Sequence, residues 1–227
     1  MRRYIMTATK QDAVLIQAAK TGNIIHVQAL LAKGVNTNAK DSEGTTALMF
    51  AAQNGYAEIV RILLNNGANV NQVSRRFGLT ALMLAAAHKQ ADSVRMLLAA
   101  GADVNANNDD GSTALMAASL KGDLNVVQLL LAANADVNVR DQDGDSALKI
   151  AALSGHQAVV KALADAGAVA DNSMLSLALS QGRAEIVRIL LDRGADANLK
   201  NQASKTALMQ AAMAGNLAMV EVFLAAG

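Results

Sequence analysis

The chain contains no cysteine, no proline and no tryptophan, and aromatic residues make up only 2% of its 227 residues. The absence of cysteine excludes a disulfide framework, a thiol nucleophile and a cysteine-ligated zinc or iron–sulfur site. Proline normally contributes about 5% of residues, and an alanine-rich chain without it is typical of closely packed helices. Three histidines leave few side chains for other metal sites.

An excess of charge of one sign is also missing, since 20 basic and 19 acidic residues give a net charge of +1. Such a chain has no bulk electrostatic attraction to nucleic acid or to an anionic membrane. No apolar run approaches the roughly 18 residues of a membrane-spanning helix, and no secretory signal pattern occurs near the N-terminus. We therefore expect a cytoplasmic protein that binds neither nucleic acid nor membrane.

Glycine recurs at a regular spacing through most of the chain. The first column of positions holds Gly22, Gly55, Lys89, Gly122, Gly155, Gly182 and Gly215, and a second column follows each of them twelve residues later. The spacing is 33 or 34 residues except between Gly155 and Gly182, where it is 27. Because both columns shift together, they predict seven repeated units.

Each unit has the pattern of two short helices. In the second unit Thr46, a good N-cap, precedes an apolar run that ends at Gly55, a residue suited to the left-handed C-terminal position. Residues 57–65 then carry the apolar stripe of a second amphipathic helix, which Gly67 ends. A polar stretch follows, which predicts a short hairpin or loop.

These units resemble the ankyrin-repeat family, whose pattern combines T-P-L-H-x-A-A, G-H, V-V-x-x-L-L and G-A-D-V-N-A. Residues 80–86 read T-A-L-M-L-A-A, residues 101–106 read G-A-D-V-N-A, and Gly155 is followed by His156. Methionine replaces the family histidine in four units, where it can only pack. The resemblance covers roughly residues 12–227. It implies an all-α solenoid of paired antiparallel helices with short β-hairpin or turn fingers.

On this basis residues 1–11 are expected to form an N-terminal extension and residues 12–227 a single repeat domain. Its units are placed at 12–40, 41–73, 74–107, 108–140, 141–170, 171–200 and 201–227. Gln17 and Gln210 occupy a column that is apolar in the units between them. Since terminal units of a solenoid need a polar outer face, we expect both ends to be capped and the domain to be complete.

Two units depart from the common length. The third has one extra residue around Ser74–Arg76, and six residues are missing from the connection around 168–172. This shortened connection, with Ser173 in the N-cap place of the threonine, predicts a weak joint before the sixth unit. Neutral loss of a loop and a functional notch or hinge are both consistent with it.

The chain lacks the common catalytic and nucleotide-binding motifs. Residues 141–145 resemble the start of a calcium loop, but the twelfth position is Ala152 instead of glutamate, and aspartate and glycine also suit a tight turn. We therefore predict no enzyme activity, no metal and no cofactor. A column of basic residues on the second helices (Arg61, Arg95, Lys161 and Arg188) is interpreted as a solvated face.

The turns and the ends of the first helices form the concave face that the resemblance implies as the binding surface. The third unit is unusual there, because Arg75, Arg76, Phe77 and Leu79 stand where other units have polar turn residues. Aromatic and arginine side chains are common binding anchors, although Phe77 and Leu79 could equally fill the inserted turn. The other candidates are His88, Asp109, Asp110, Leu120, Lys121, Asp143, Asp145 and Leu153.

An apolar and basic spot followed by an acidic strip predicts a partner of mixed charge. The function expected is that of a monomeric, non-catalytic scaffold that binds a protein or peptide. The alternative is a regulatory subunit, inhibitory or targeting, of a catalytic protein.

Overall fold

The computed structural model describes residues 10–170, 172–198, 200 and 204–226, and these contain fourteen helices in seven consecutive pairs. Helix α1 begins at Lys10, two residues before the predicted start of the repeat domain. The first helices are α1 (Lys10–Lys20), α3 (Ala47–Gln53), α5 (Ala81–Ala87), α7 (Ala114–Lys121), α9 (Ala147–Ser154), α11 (Asn172–Ser180) and α13 (Ala207–Met213). The second helices are α2 (Ile24–Ala32), α4 (Ala57–Asn65), α6 (Ala91–Ala99), α8 (Leu124–Ala132), α10 (Gln157–Asp165), α12 (Ala184–Asp192) and α14 (Leu217–Ala225).

The helix ends follow the predicted capping pattern. The backbone N–H of Met49 donates to Oγ1 of Thr46 over 3.3 Å, and Gly55 has a φ of +72° where the helix ends. Hydroxyl N-caps also begin the helices after Thr80, Thr113, Ser146 and Thr206. Removing one such cap typically costs about 1 kcal/mol.

The N-cap predicted at Ser173 is wrong, because α11 already begins at Asn172 and Ser173 lies inside its first turn. The physical reason is the missing finger. Since α10 ends at Asp165, the chain enters α11 after only a short connection and continues directly into helix.

The helices form two layers, with first helices packed on first helices and second helices on second helices. Fully buried alanines such as Ala85 and Ala86 let the first helices approach closely. Branched residues of the second helices, such as Ile59, Val60 and Leu63, fill the space between the two layers. Burial of one such branched side chain contributes about 1.5–3 kcal/mol. One continuous apolar core therefore runs along the whole stack, which confirms the predicted all-α solenoid.

The hairpin fingers are reduced to turns. Within the described residues, single antiparallel bridges join Lys40 to Thr46, Arg140 to Ser146 and Lys200 to Thr206. The first two of these bridges each close a tight turn directly before a first helix. The fingers therefore hold the helix starts in place without forming a sheet.

A ladder of asparagine side chains ties successive units together. Oδ1 of Asn38 accepts the N–H of Asn69 over 2.7 Å, and its Nδ2 donates to the carbonyl of Gly67 over 3.1 Å. The same acceptor role falls to Asn71, Asn105 and Asn138, at 2.8–2.9 Å from the amide nitrogen of the next unit. Within the sixth unit, Asn172 at the shortened connection accepts from Asp196 over 3.2 Å. The ladder thus resumes beyond the deletion.

Two arginines also cross the shortened joint. Nη1 of Arg183 donates to the carbonyl of Ala152 over 2.6 Å, and Nη1 of Arg193 donates to that of Ala164 over 2.8 Å. Arg193 also pairs with Asp165. These bonds connect the fifth and sixth units, between which the finger is shortened.

The predicted polar outer face is wrong for the C-terminal unit. Met213 is 70% exposed and Leu217 76% exposed, and Met209 and Leu224 are exposed beside them. The methionines equivalent to Met209 in the second, third and fourth units are buried inside the stack. A glutamine in one column therefore does not make a whole face polar, because the neighbouring columns keep the apolar residues that inner units bury.

Candidate functional site

The turns that precede α3, α5, α7 and α9 form a connected wall. The N–H of Arg75 donates to the carbonyl of Glu43 over 2.8 Å, and that of Asp109 donates to the carbonyl of Phe77 over 3.0 Å. The N–H of Gln142 donates to the carbonyl of Asp110 over 2.9 Å. We call the surface formed by these turns and the first helices the inner face. The turns of the third and fourth units, which precede α5 and α7, are each hydrogen-bonded to a neighbouring turn on both sides.

In the turn of the third unit, which precedes α5, hydrogen bonds of a serine side chain accommodate the extra residue. In the other turns a carboxylate or amide, such as Asp41, accepts two backbone N–H groups. Here Oγ of Ser74 accepts the N–H of Leu79 over 2.9 Å and donates to the carbonyl of Arg76 over 2.6 Å. Phe77 and Gly78 then adopt consecutive left-handed conformations, with φ of +67° and +62°.

A left-handed conformation is unusual for a bulky residue and costs about 1–3 kcal/mol. Despite this cost, the side chain of Phe77 remains 50% exposed. Burial of its ring therefore does not explain why the turn holds phenylalanine. Strained backbone conformations cluster at binding and active sites.

An open pocket of about 220 Å³ lies between this turn and the helices α3 and α5. Phe50, Phe77, Leu79 and Leu84 supply its apolar walls. Its polar lining consists of Glu43, Thr45, Gln53, Ser74 and Arg76. The structure therefore brings three of the predicted residues, Arg76, Phe77 and Leu79, into one site. Arg75 is exposed beside it, with Nη1 at 3.4 Å from the carbonyl of Ser42.

Two cations lie over the aromatic rings at this site. The guanidinium carbon of Arg76 is 4.8 Å from the ring centre of Phe77, and Nζ of Lys20 is 5.1 Å from that of Phe50. Arg76 also lies 3.8 Å from a carboxylate oxygen of Glu43, a pair in which both side chains are more than half exposed. The pocket thus combines apolar walls with a rim that holds the exposed Arg76 beside Glu43.

His88 belongs to the same surface. Its Nδ1 is 2.9 Å from the carbonyl of Leu84, and its Nε2 is 3.3 Å from Nε2 of Gln53. With Nδ1 as the donor, Nε2 can accept from the glutamine amide. These bonds link the ends of α3 and α5 at the edge of the pocket, so His88 positions the lining residue Gln53.

The remaining predicted residues lie further along the inner face. Leu120 is 54% exposed and Lys121 is exposed at the end of α7, whereas Leu153 on α9 is half-buried. The carbonyl of Leu120 accepts from Nε2 of His156 over 3.1 Å. Leu120, Lys121 and Leu153 do not line the pocket. The predicted residues therefore divide into a compact site and a more distant strip.

The acidic residues of that strip have two different environments. Asp109, Asp110 and Asp143 are exposed at the turns. Asp145 instead is three-quarters buried and pairs with Lys149. Asp141 accepts two backbone N–H groups, as the turn interpretation of this acidic segment predicts. The free charge of the strip therefore comes from the exposed aspartates.

Sequence reasoning missed Phe50 and Leu84 as pocket residues. Both lie in the column that ends in Gln17 and Gln210, and its apolar members were interpreted as contacts between units. The available signal was that this column holds an aromatic residue only at Phe50. Since Phe50 and Phe77 belong to neighbouring units, their meeting depends on the turn geometry.

The second helices show the solvated face that was predicted. Arg61, Arg95 and Arg188 each lie within 4.0 Å of an acidic side chain three residues earlier, and Lys161 lies 3.3 Å from Asp165. The positive charge of this column is therefore largely neutralised along its length.

No group of three or more His, Asp or Glu side chains that could hold a metal ion occurs in the described part of the chain. Over the same ranges, no helix is long and apolar enough to cross a bilayer.

The stacked helix pairs, with their linked turns, define an α-solenoid repeat protein. The family model for ankyrin repeats, described as three copies, matches residues 15–108, 82–174 and 165–227. These matches span most of the sequence. The chain therefore belongs to the ankyrin-repeat family, as its motifs indicated.

Curated relatives share only part of the chain. Over 68 residues it is 41% identical to the mitochondrial disaggregase of Homo sapiens, a match covering 30% of this chain and 10% of that protein. Over 64 residues it is 42% identical to the 2-5A-dependent ribonuclease of Mus musculus, covering 28% and 9% respectively. A third relative, ankyrin repeat domain-containing protein 29 of Danio rerio, is 47% identical over 55 residues, covering 24% and 18%. The matched regions thus span less than a fifth of each relative.

Proposed function

We propose that this protein is a non-catalytic interaction scaffold that binds a protein or peptide through its inner face. The observation that carries the proposal is Phe77, a strained and half-exposed aromatic residue in a turn that backbone hydrogen bonds hold rigid. Ankyrin repeats generally mediate protein–protein interaction, which supports the same function. The pocket beside Phe77 adds an apolar site that a partner side chain can enter.

Comparative capture from the source cell, followed by titration, tests this proposal. Wild type, Phe77→Ala and Arg188→Ala serve as matched baits, since both substitutions remove exposed side chains, one on the inner face and the other on the second helices. A partner of the inner face is retained by wild type and by Arg188→Ala and is reduced by Phe77→Ala. In titration of that partner, Phe77→Ala should cost more than about 1 kcal/mol of binding free energy, the usual hot-spot scale.

Arg188→Ala should cost less than about 0.5 kcal/mol, since an exposed ion pair contributes little. Equal losses from the two substitutions would contradict binding at the inner face. If the captured partner is an enzyme whose rate changes on binding, the function is that of a regulatory subunit. A cytoplasmic, monomeric state is part of the proposal, which fluorescence imaging and sedimentation can test.

A further inference from the structure

We propose that the inner face recognises an extended segment with a defined order of charges. An apolar side chain of the segment enters the pocket, and an acidic residue beside it pairs with Arg76. Basic residues about three and six positions along the segment pair with Asp110 and Asp143. This inference rests on the proposed function and specifies the chemistry of its partner.

The size of the pocket favours a single side chain. Its volume of about 220 Å³ is below the roughly 300–1,000 Å³ typical of sites for whole small molecules. Two phenyl rings and two leucines line it, and these apolar walls suit an aliphatic or aromatic side chain. Burial of such a side chain provides about 1.5–3 kcal/mol, enough to anchor a segment but not to select it.

The rim of the pocket supplies a positive charge for selection. The side chain of Arg76 is 67% exposed, and at 3.8 Å its contact with Glu43 is longer than a hydrogen bond. Lys20 places a second cation over the ring of Phe50, one of the pocket's wall residues. A carboxylate from the partner can bind the guanidinium through two parallel N–H···O bonds, which are shorter and stronger than the present contact.

The next two turns supply the negative charges. Asp110 and Asp143 are exposed at the tips of the fourth and fifth turns, whereas Asp145 is already paired with Lys149. Neighbouring units of helices lie about 10 Å apart, and an extended chain advances about 3.3 Å per residue. One unit therefore corresponds to about three residues of the partner, which gives the spacing in the proposal.

The test uses a random peptide library displayed on phage, with members of about 12 residues, enough to span three units in extended form. Selection on the full chain should enrich peptides with an apolar residue beside Asp or Glu and with Lys or Arg about three and six positions away. The enriched consensus peptide is then titrated by fluorescence anisotropy. Circular dichroism confirms that each variant remains folded.

The matched variants are the double substitution Asp110→Lys with Asp143→Lys, and the control Asp92→Lys with Asp192→Lys on the second helices. Both pairs change the net charge equally. We expect the first pair to weaken binding of the consensus peptide at least about tenfold, equivalent to about 1.4 kcal/mol. A peptide with glutamate at the basic positions should restore binding to this variant. The control pair should change binding less than about twofold.

The outcomes separate the two proposals. Peptides that lose binding with Phe77→Ala but are unaffected by the charge reversal would overturn the charge order and leave the inner face as the binding surface. Peptides insensitive to both changes, or no enrichment at all, would count against the inner face as well.

Discussion

Ser93 on α6 is a polar residue in a column that five of the other six units fill with apolar side chains; the first unit holds the exposed His26 there. The apolar equivalents are Ile59, Val126, Val159, Ile186 and Met219, all buried. Ser93 is only 1% exposed, and its hydroxyl has no hydrogen-bond partner among the described residues. We predict that Ser93→Val stabilises the protein.

The magnitude follows from two contributions. Valine places two methyl groups where serine has one hydroxyl, which contributes about 1.6 kcal/mol at roughly 0.8 kcal/mol per buried carbon. It also removes an unpaired buried hydroxyl, whose burial costs about 1–3 kcal/mol. Overpacking opposes both contributions by about 1–3 kcal/mol, while helix propensity is nearly unchanged. We expect a net gain of about 1–2 kcal/mol.

Urea denaturation followed by far-ultraviolet circular dichroism measures this gain, provided the slope of the transition stays constant. Ser93→Ala, which deletes the hydroxyl without adding volume, separates the two contributions. Ser119→Ala is the matched control at a second buried hydroxyl that has no partner among the described residues, in a column that holds alanine in most units. If Ser93→Ala, Ser119→Ala and Ser93→Val all leave the free energy of unfolding unchanged or lower it, the two hydroxyls have hydrogen-bond partners and the reasoning is refuted.

Three further predictions concern the joints between units. Asn71→Ala should cost about 1–2 kcal/mol, because the amide of Asp103 loses its acceptor; an unchanged urea midpoint would contradict a role of the ladder in stability. Gly122→Ala should cost at least 1 kcal/mol more than Gly101→Ala, on the order of one lost hydrogen bond. Both glycines are left-handed, but only at Gly122 would a Cβ meet the ring of His156, at 2.4 Å; equal losses in thermal unfolding would show that the ring yields freely. In hydrogen exchange, residues 177–224 should exchange before residues 46–130 through sub-global opening. Equal protection would mean that Arg183 and Arg193 fully compensate for the shortened finger.

The repeat pattern predicted the helices well because each position has one structural role in every unit. The second unit shows this clearly: the sequence placed its second helix at residues 57–65, and α4 spans Ala57–Asn65. Periodic glycines and N-cap hydroxyls act locally, so they can be recognised without knowledge of the fold. The N-cap assigned to Ser173 failed where the unit lost its finger, since that loss changes the path by which the chain enters the helix.

The candidate site was only partly predictable for a different reason. Phe77 could be recognised because its residue type is unusual for its turn. Phe50 could not, because its exposure depends on how the neighbouring turn is shaped, and that shape depends on two consecutive left-handed residues. Exposure at the ends of the stack has the same origin, since a side chain such as Met209 is buried or open according to its neighbours.

The asparagine ladder has a consequence for the rate of folding. Its cross-unit bonds join residues 31 or 32 positions apart, and the bond of Asn172 within the sixth unit joins residues 24 positions apart. Loop-closure entropy depends on this separation, so closing one joint costs nearly the same at every place along the chain and does not rise with the number of units. Nucleation is therefore possible at any adjacent pair of units, and growth proceeds from there by contacts of constant range.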